Sequence, residues 1–309
     1  MSQEKSPQFF VLGGAHMDQI GRASKRYEPG QSNPGSLVRS PGGVAGNIAR
    51  GLAMLEWPVM LSTIVGDDSD GRFVTSQLEA KGIDTSLVIT DGDRQTATYT
   101  AIEEPNGALV AGLAAMQIYD HYPLSHVEAC LADLPEDCDL VADTNLPEEV
   151  LEELANNKGG RNLAVCAVSG PKANRVAGCL DKVDLLFCNE AEAAILAEEY
   201  AELDALPAIL LELGVQHGVI TKGGKGITAW KGEETWFLPA PPVRVRSTNG
   251  AGDCLAACIL HGLTLHKTLS KALPYGLAGA SLALMSEQAI PDMLNRMMLD
   301  NCLTDIPQS

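Results

Sequence analysis

The chain has 309 residues, of which 45% are hydrophobic and 20% charged, a balance usual for a globular protein with one large domain. Its formal net charge of −18 disfavours nucleic-acid binding, because such a surface needs Lys and Arg to replace the counterions of the phosphates. The sequence has no apolar run of bilayer length, no signal-peptide pattern and eight scattered cysteines. It therefore predicts a cytoplasmic protein that does not act at a membrane.

The first predicted strand is the apolar run 9–12, which ends at the turn Gly13-Gly14. Ligand sites in open α/β sheets lie beyond the carboxyl ends of strands, so Asp18 is a candidate ligand contact. An aspartate in this position is about as often a turn former. The residues alone leave both interpretations of Asp18 open.

A second pair of glycines, Gly42-Gly43, precedes the predicted helix that contains Asn47. Glycines allow a ligand to approach the backbone closely. The Asn47 carboxamide can both donate and accept, which suits neighbouring hydroxyl groups of a sugar. A glycine-rich helix start with a capping asparagine explains the same pattern about equally well.

Two β-prone segments, 95–102 and 108–113, flank a Pro-Asn-Gly turn and predict a hairpin. A hairpin inserted among alternating strands and helices predicts a small sheet apart from the main one. Residues 61–65 are predicted to form a strand, and the three aspartates in the segment 66–71 are interpreted as a polar turn before a helix.

Strand-like and helix-like runs alternate in the second half of the chain. The predicted strands are 140–143, 163–168, 185–188 and 218–221. This alternation predicts an α/β fold with a doubly wound, mainly parallel sheet and helices on both faces.

Two polar turns follow the last two of these strands. Asn189 and Glu192 open a helix, where an acidic first turn is what the helix dipole favours. Thr221 is followed by Gly223 and Gly226, a pattern that favours an ordinary hairpin turn over a nucleotide site by about two to one.

The most informative stretch is 246–257. A loop of small residues, 248–252, leads into Asp253 and then into an apolar helix, and 243–246 is predicted to be the end of a strand. The first N–H groups of a helix have no intrahelical partner, so this turn is suited to an anion. The Asp253 carboxylate could accept a proton from an attacking hydroxyl, but an N-cap aspartate explains the bare pattern about as well.

The sequence GAGD at 250–253 resembles the signature of the ribokinase-like (PfkB) family of carbohydrate and nucleoside kinases. The other motifs follow in the family's order from about residue 9 to 292. The resemblance implies a single ribokinase-like domain over 1–309. It also implies a small β lid from about 17–40 and 94–114, through which a homodimer would form.

The resemblance also implies ATP and Mg²⁺ as cofactors and gives roles to individual residues. The implied catalytic base is Asp253, and the implied anion hole is the backbone of Gly250, Ala251 and Gly252. The implied substrate-binding residues are His16, Asp18, Gly42, Gly43 and Asn47. The implied nucleotide-binding residues are Asn189, Thr221, Gly223, Gly226, Thr248 and Asn249, and Glu192 is implied to reach Mg²⁺ through water. Ser247 stands where the family usually has an aspartate, which leaves activation by K⁺ open.

The runs SNPG at 32–35 and SPGGVA at 40–45 look specifically like those of pseudouridine kinases within the family. The implied reaction is phosphorylation of the 5′-hydroxyl of pseudouridine by ATP. One alternative is a kinase for another sugar or nucleoside, such as ribose, adenosine or fructose. The other is a non-catalytic sugar- or nucleotide-binding regulator, at about one in ten, since a fold does not fix a function.

Overall fold

The computed structural model describes residues 7–198, 203–304 and 306. The strands are β1 (Phe9–Leu12), β2 (His16–Ala23), β3 (Gly35–Gly42), β4 (Val59–Ser62), β5 (Ile64–Gly66), β6 (Ile89–Asp91), β7 (Thr98–Glu103), β8 (Leu109–Ala115), β9 (Asp139–Asp143), β10 (Leu163–Cys166), β11 (Leu185–Asn189), β12 (His217–Thr221), β13 (Gly226–Lys231) and β14 (Glu234–Pro239). The α-helices are α1 (Val44–Met54), α2 (Ser69–Glu79), α3 (Leu124–Asp133), α4 (Glu148–Asn157), α5 (Ser169–Ala173), α6 (Glu190–Leu196), α7 (Leu206–Glu212), α8 (Ala251–His266), α9 (Leu269–Leu284) and α10 (Arg296–Leu303).

The main sheet has eight strands in the order β14-β13-β12-β11-β10-β9-β1-β4. The six strands from β12 to β4 are parallel, and β13 and β14 are antiparallel additions at one edge. In β1, Phe9 and Val11 pack into one hydrophobic core while Phe10 and Leu12 pack into the other. Helices α1, α8 and α9 cover the first face and α3, α4 and α6 the second. The predicted doubly wound, mainly parallel α/β fold is confirmed.

A separate four-stranded sheet has the order β3-β2-β7-β8, in which β7 and β8 form the predicted hairpin. The strand predicted at 61–65 is instead divided between two sheets. The chain leaves the main sheet at Thr63, whose carbonyl accepts from the N–H of Ile89, and β5 then pairs with β6.

The strand end predicted at 243–246 is not formed; these residues connect β14 to α8 without strand pairing. The N–H of Arg246 donates to the carbonyl of Leu284 near the end of α9 over 2.7 Å, so a helix carbonyl takes the place of a neighbouring strand. In the turn before α2, Asp68 caps the helix by accepting from the N–H groups of Asp70 and Gly71, as the polar-turn interpretation predicted. No helix in the described part of the chain is long and apolar enough to span a bilayer.

A buried histidine on α8 contacts a residue of α9 and a residue that follows α1. His261 is 1% exposed, and its Nδ1 accepts from Trp57 Nε1 over 2.9 Å. The ring of Tyr275 packs against its edge, with the ring centroids 5.6 Å apart. Burial, with the charge of Arg296 as a smaller cause, lowers the pKa of His261 to about 4.

We expect the free energy of unfolding to lose about 2 kcal/mol as the pH falls from about 6.5 towards 4, because only the unfolded His261 binds a proton freely in that range. Urea unfolding gives the free energy of unfolding of the wild type and of His261→Gln at neutral and at acidic pH. The contribution of His261 is the loss in the wild type minus the loss in the variant. The difference is needed because buried carboxyl groups such as Asp143, whose pKa is raised by burial, respond to acid in the opposite direction. Equal pH dependence of the two proteins would contradict the expectation.

Candidate active site

Four neighbouring strands of the main sheet each have a last residue whose side chain carries an oxygen, nitrogen or sulfur atom. Asp143, Cys166, Asn189 and Thr221 are the last residues of β9, β10, β11 and β12. The amino-terminal ends of α1 and α8 come to the same edge, since Val44 and Asp253 line a cavity with three of these strand ends. Open α/β sheets bind ligands at this edge.

The start of α8 depends on two glycines for different reasons. Gly250 has a left-handed backbone with φ 72°, and an added Cβ would lie 2.3 Å from the Cβ of Ala289, so only glycine fits there. At Gly252 an added Cβ would meet no atom within 4 Å. The space beside Gly252, at the positive dipole end of α8, is therefore open, as an anion site requires.

Asp253 lies in this first turn and is half-buried. Its Oδ2 accepts a hydrogen bond of 2.6 Å from Nδ2 of Asn47. Burial raises the pKa of Asp253 to about 6, the Asn47 hydrogen bond opposes this rise, the charges of Asp143 and Asp18 add to it, and Arg50 lowers it. A carboxylate with such a pKa is ionised at neutral pH and is a stronger base than an exposed aspartate.

The small sheet supplies the second carboxylate of the site. Asp18 on β2 is buried, and its Oδ1 lies 3.2 Å from Nε2 of His16, whose Nδ1 lies 3.3 Å from the hydroxyl of Tyr119. An added Cβ on Gly42 would lie 2.3 Å from Asp18 Oδ2, and one on Gly43, which has φ 92°, would lie 2.2 Å from a backbone oxygen. Gly42 thus leaves room for the Asp18 carboxylate, and Gly43 lets the start of α1 approach the backbone of Gly14, between β1 and β2.

A buried carboxylate fixes the start of α1 relative to the sheet. Asp143 accepts from the N–H groups of Gly14, Ala45 and Asn145 over 2.8 to 2.9 Å. Because Ala45 is in the first turn of α1, these bonds set where Asn47, one half-turn later, points. The sequence does not reveal this role, since the pattern of a strand-end aspartate is the same whether it binds a ligand or the backbone.

The asparagine and glutamate after β11 form a capping box at the start of α6. Asn189 Oδ1 accepts from the N–H of Glu192, and Glu192 Oε2 accepts from the N–H of Asn189, both over 2.9 Å. Both residues also line a cavity of about 200 Å³ together with Thr221, Gly252 and Asp253. Burial raises the pKa of Glu192, so a cation in this cavity would favour its ionised form. The structural and the functional interpretation of these residues are therefore compatible.

The remaining predicted nucleotide contacts lie outside that cavity. Gly223 and Gly226 flank the short turn between β12 and β13, and an added Cβ on Gly226 would lie 2.1 Å from the carbonyl of Leu238. Thr248 and Asn249 are exposed in the loop before α8, and the N–H of Asn249 donates to Ser247 Oγ over 3.1 Å. The structure brings Asp18, Asn47 and Asp253 into one cluster, whereas these four residues are not among those that line the cavity of Asp253.

One residue that the sequence analysis did not single out belongs to the cluster. Arg50 on α1 donates from NH2 to Oδ1 of Asn47 and, over 3.1 Å, to the carbonyl of Pro41. The sequence could have indicated Arg50 through its position three residues after Asn47, because that spacing places both side chains on the same face of a helix.

Comparison with known proteins agrees with this geometry. The model of the family described as "pfkB family carbohydrate kinase" matches residues 7–296. The chain belongs to the pfkB family of carbohydrate kinases. It is 28% identical to the ribokinase of Bacillus subtilis, over 95% of this chain and 98% of that one, and 26% identical to the pseudouridine kinase of Escherichia coli, over 82% and 84%. A solved carbohydrate kinase from Agrobacterium tumefaciens is 34% identical and superimposes with a TM-score of 0.85 over 98% of both chains.

This pfkB kinase is therefore a phosphotransferase that acts on the hydroxyl group of a sugar or nucleoside. Among the described residues, no group of three or more His, Cys, Asp or Glu side chains is arranged to hold a metal ion. Magnesium that is bound mainly by phosphates and water needs only one or two protein carboxylates. Glu192, which shares a cavity with Asp253 and Gly252, meets that requirement.

Proposed function

We propose that this protein transfers the γ-phosphoryl group of ATP to a primary hydroxyl of its acceptor, with Asp253 as the general base. The observation that carries the proposal is that Asp253 lies in the first turn of α8, next to Gly252, which leaves room for a phosphate. Asn47 bonds to Asp253 and Asp18 lies close enough to raise its pKa. The base, the anion site and a group able to hold sugar hydroxyls thus adjoin one another.

In the proposed step the acceptor oxygen forms a bond to the γ-phosphorus as the bond to the bridging oxygen of ADP breaks. The hydroxyl proton passes to the carboxylate of Asp253, and ADP leaves with the electron pair of the broken bond. The backbone N–H groups of Gly250, Ala251 and Gly252 stabilise the charge on the transferred oxygens. Asp18, with Gly42, Gly43 and His16 around it, orients the acceptor. Glu192 would hold Mg²⁺ through water, and the bound ion would neutralise phosphate charge.

For the rest of the nucleotide we propose Asn189, Thr221, Gly223, Gly226, Thr248 and Asn249 as contacts. Thr221 and Asn189 line the cavity that contains Asp253, and the other four follow Thr221 or precede Gly250 in the chain. Ser247 Oγ accepts from the N–H of Asn249, so the hydroxyl takes part in the loop that a monovalent cation would approach. A comparison of rates in K⁺ and in a larger organic cation tests activation by K⁺ directly.

We propose pseudouridine as the acceptor, giving pseudouridine 5′-phosphate. The support is the pair of runs at 32–35 and 40–45. The second run spans the end of β3 and the start of α1, where Ser40 pairs with Asp18, whereas the first lies in the loop that leads into β3. Ribose is the second candidate, because the ribokinase relative matches more of this chain than the pseudouridine kinase relative does.

The first experiment is an ADP-release assay with Mg·ATP against pseudouridine, uridine, adenosine, ribose and fructose. Turnover on pseudouridine with little on uridine is the expected result, because the two differ in the glycosidic bond that the site must distinguish. Turnover on ribose alone would support the proposed kinase reaction and show that the acceptor is ribose and not pseudouridine. ATP binding without turnover on any acceptor would favour a non-catalytic regulator.

The rate should depend on pH through the base. We expect kcat/KM to rise with pH to a plateau, with a midpoint near pH 6, because Asp253 must be ionised to accept a proton and its pKa is about 6. Below the midpoint the rate should fall about tenfold per pH unit. A profile that stays flat down to pH 5 would argue against this base.

We further propose that 1–309 is one kinase domain whose four-stranded sheet closes over the acceptor and forms a homodimer. The sheet exposes large apolar side chains, as a dimer surface would: Leu37, Val38, Leu109, Val110 and Leu113. Leu113 on β8 is 68% exposed.

The change Leu113→Lys should convert a dimer to a monomer in size-exclusion chromatography with light scattering, because it places a charge in the apolar contact. The control is Met297→Lys, which makes the same change at a 75% exposed side chain on α10. A wild-type monomer, or a dimer that survives Leu113→Lys, would remove the support for this surface.

A further inference from the structure

One arginine connects the small sheet, the first helix and the catalytic carboxylate. Arg50 is one turn along α1 from Asn47, and one nitrogen of its guanidinium, NH2, serves two acceptors. These acceptors are the carbonyl of Pro41, in β3, and Oδ1 of Asn47. The same Asn47 amide donates from Nδ2 to Asp253 over 2.6 Å. A chain of hydrogen bonds therefore runs from β3 to the proposed base.

The direction of every bond in this chain follows from the arginine. A guanidinium has donors and no acceptor, so the Asn47 atom that faces it must be the oxygen. The amide nitrogen must then face Asp253, whose ionised carboxylate only accepts. Asp253 and Arg50 therefore favour the same orientation of the Asn47 amide, and Arg50 holds its oxygen side. Without Arg50 only the bond to Asp253 would hold the amide.

The charge of Arg50 acts on the same carboxylate. Burial lowers the pKa of Arg50, while the charges of Asp18 and Asp253 raise it, so the three groups form one electrostatic cluster. Arginine stays protonated in proteins, and its charge therefore opposes the effects of burial and of Asp143 and Asp18 on Asp253.

The groups around Asp253 come from five elements. They are Asp18 on β2, Arg50 on α1, Asp143 on β9, Cys166 on β10 and Glu192 on α6. Arg50 is the cation in this set, since the other charged members are carboxylates.

We infer that Arg50 is a positioning residue for phosphoryl transfer, which orients the Asn47 amide towards Asp253 and ties that orientation to strand β3. The inference rests on the proposed function, in which Asp253 is the base. Its two parts are separable, because orientation depends on the hydrogen bonds of the guanidinium and the ionisation of Asp253 depends on its charge.

Two variants distinguish these parts. Arg50→Met removes the charge and both hydrogen bonds, so kcat should fall about 10- to 100-fold. The acidic limb of kcat/KM should also move up by about one pH unit, because Asp253 binds its proton more tightly without the cation. Arg50→Lys keeps the charge without the fixed geometry, so kcat should fall while the acidic limb stays near its wild-type position.

The matched control is Arg72→Met, the same change at an exposed arginine on α2 that pairs with Asp67 over 2.9 Å. It should leave both kcat and the pH profile unchanged. A double-mutant cycle with Asn47→Ala then tests the route: Arg50→Met should lower kcat much less when Asn47 is already absent. Additive effects of the two changes would overturn the positioning role, and an acidic limb that does not move in Arg50→Met would overturn the effect of the Arg50 charge on Asp253.

A carboxyl titration keeps this inference separate from the proposed function. ¹³C NMR of aspartate-labelled protein without substrate gives the pKa of Asp253, whose signal is identified by its loss in Asp253→Asn. A wild type that phosphorylates no acceptor would defeat the proposed function and leave this test intact. An equal Asp253 pKa in the wild type and in Arg50→Met would defeat the role of Arg50 alone. Should Arg50→Met fail to fold, Arg50→Gln carries the same comparison, since it removes the charge and keeps a polar side chain.

Discussion

Asp253→Asn should lower kcat by about 10²- to 10⁴-fold, because the amide cannot take the proton of the attacking hydroxyl. The change preserves the shape of the side chain, and the new amide oxygen can still accept from Nδ2 of Asn47, as Oδ2 of Asp253 does over 2.6 Å. The acceptor should therefore bind with an affinity within a few-fold of the wild type. ADP release measures kcat, and calorimetric titration of the acceptor measures the affinity.

The control is Asp133→Asn, which removes a carboxylate from the exposed end of α3, away from the cavity of Asp253. It should leave kcat and binding unchanged. The acidic limb that we expect in the wild type should also be missing from the residual activity of Asp253→Asn. A variant with near-normal kcat would show that another group takes the proton.

Gly252→Ala should separate stability from activity. The added methyl group meets no protein atom within 4 Å, and alanine is favoured over glycine inside a helix by about 1 kcal/mol. The variant should thus unfold at an equal or slightly higher temperature. If the space over the first turn of α8 holds the transferred phosphoryl group, the methyl group displaces it, and kcat/KM should fall about 10²-fold or more.

Gly160→Ala is the matched control. Its added Cβ also meets no atom within 4 Å, and it lies in an exposed turn between α4 and β10, outside the cavity. Thermal unfolding and ADP release should both stay close to wild type. Normal kcat/KM in Gly252→Ala would show that the phosphates do not occupy the start of α8, whereas a loss of stability would show that the fold needs this glycine.

The local predictions that held are those where chain-neighbouring residues decide the structure. Buried parallel strands have continuous apolar runs, so β1 at 9–12 was predicted to the residue. The glycine loop before α8 and the hairpin of β7 and β8 also follow from backbone preferences that neighbouring residues set. The predictions at 61–65 and 243–246 were wrong because a strand is completed by its partner, which local sequence does not specify.

The sequence by itself determined the α/β fold, the pfkB family and the glycine loop that opens helix α8, because hydrophobic periodicity and the order of motifs can be recognised without knowledge of tertiary contacts. The tertiary structure decided which of these parts meet. Asn47 and Asp253 are 206 residues apart and share a hydrogen bond. Arg50 acquires its role only because β3 passes beside α1. A hydrogen bond or a shifted pKa depends on distances of a few ångströms between distant segments, and these are fixed only when the sheet and its helices pack together.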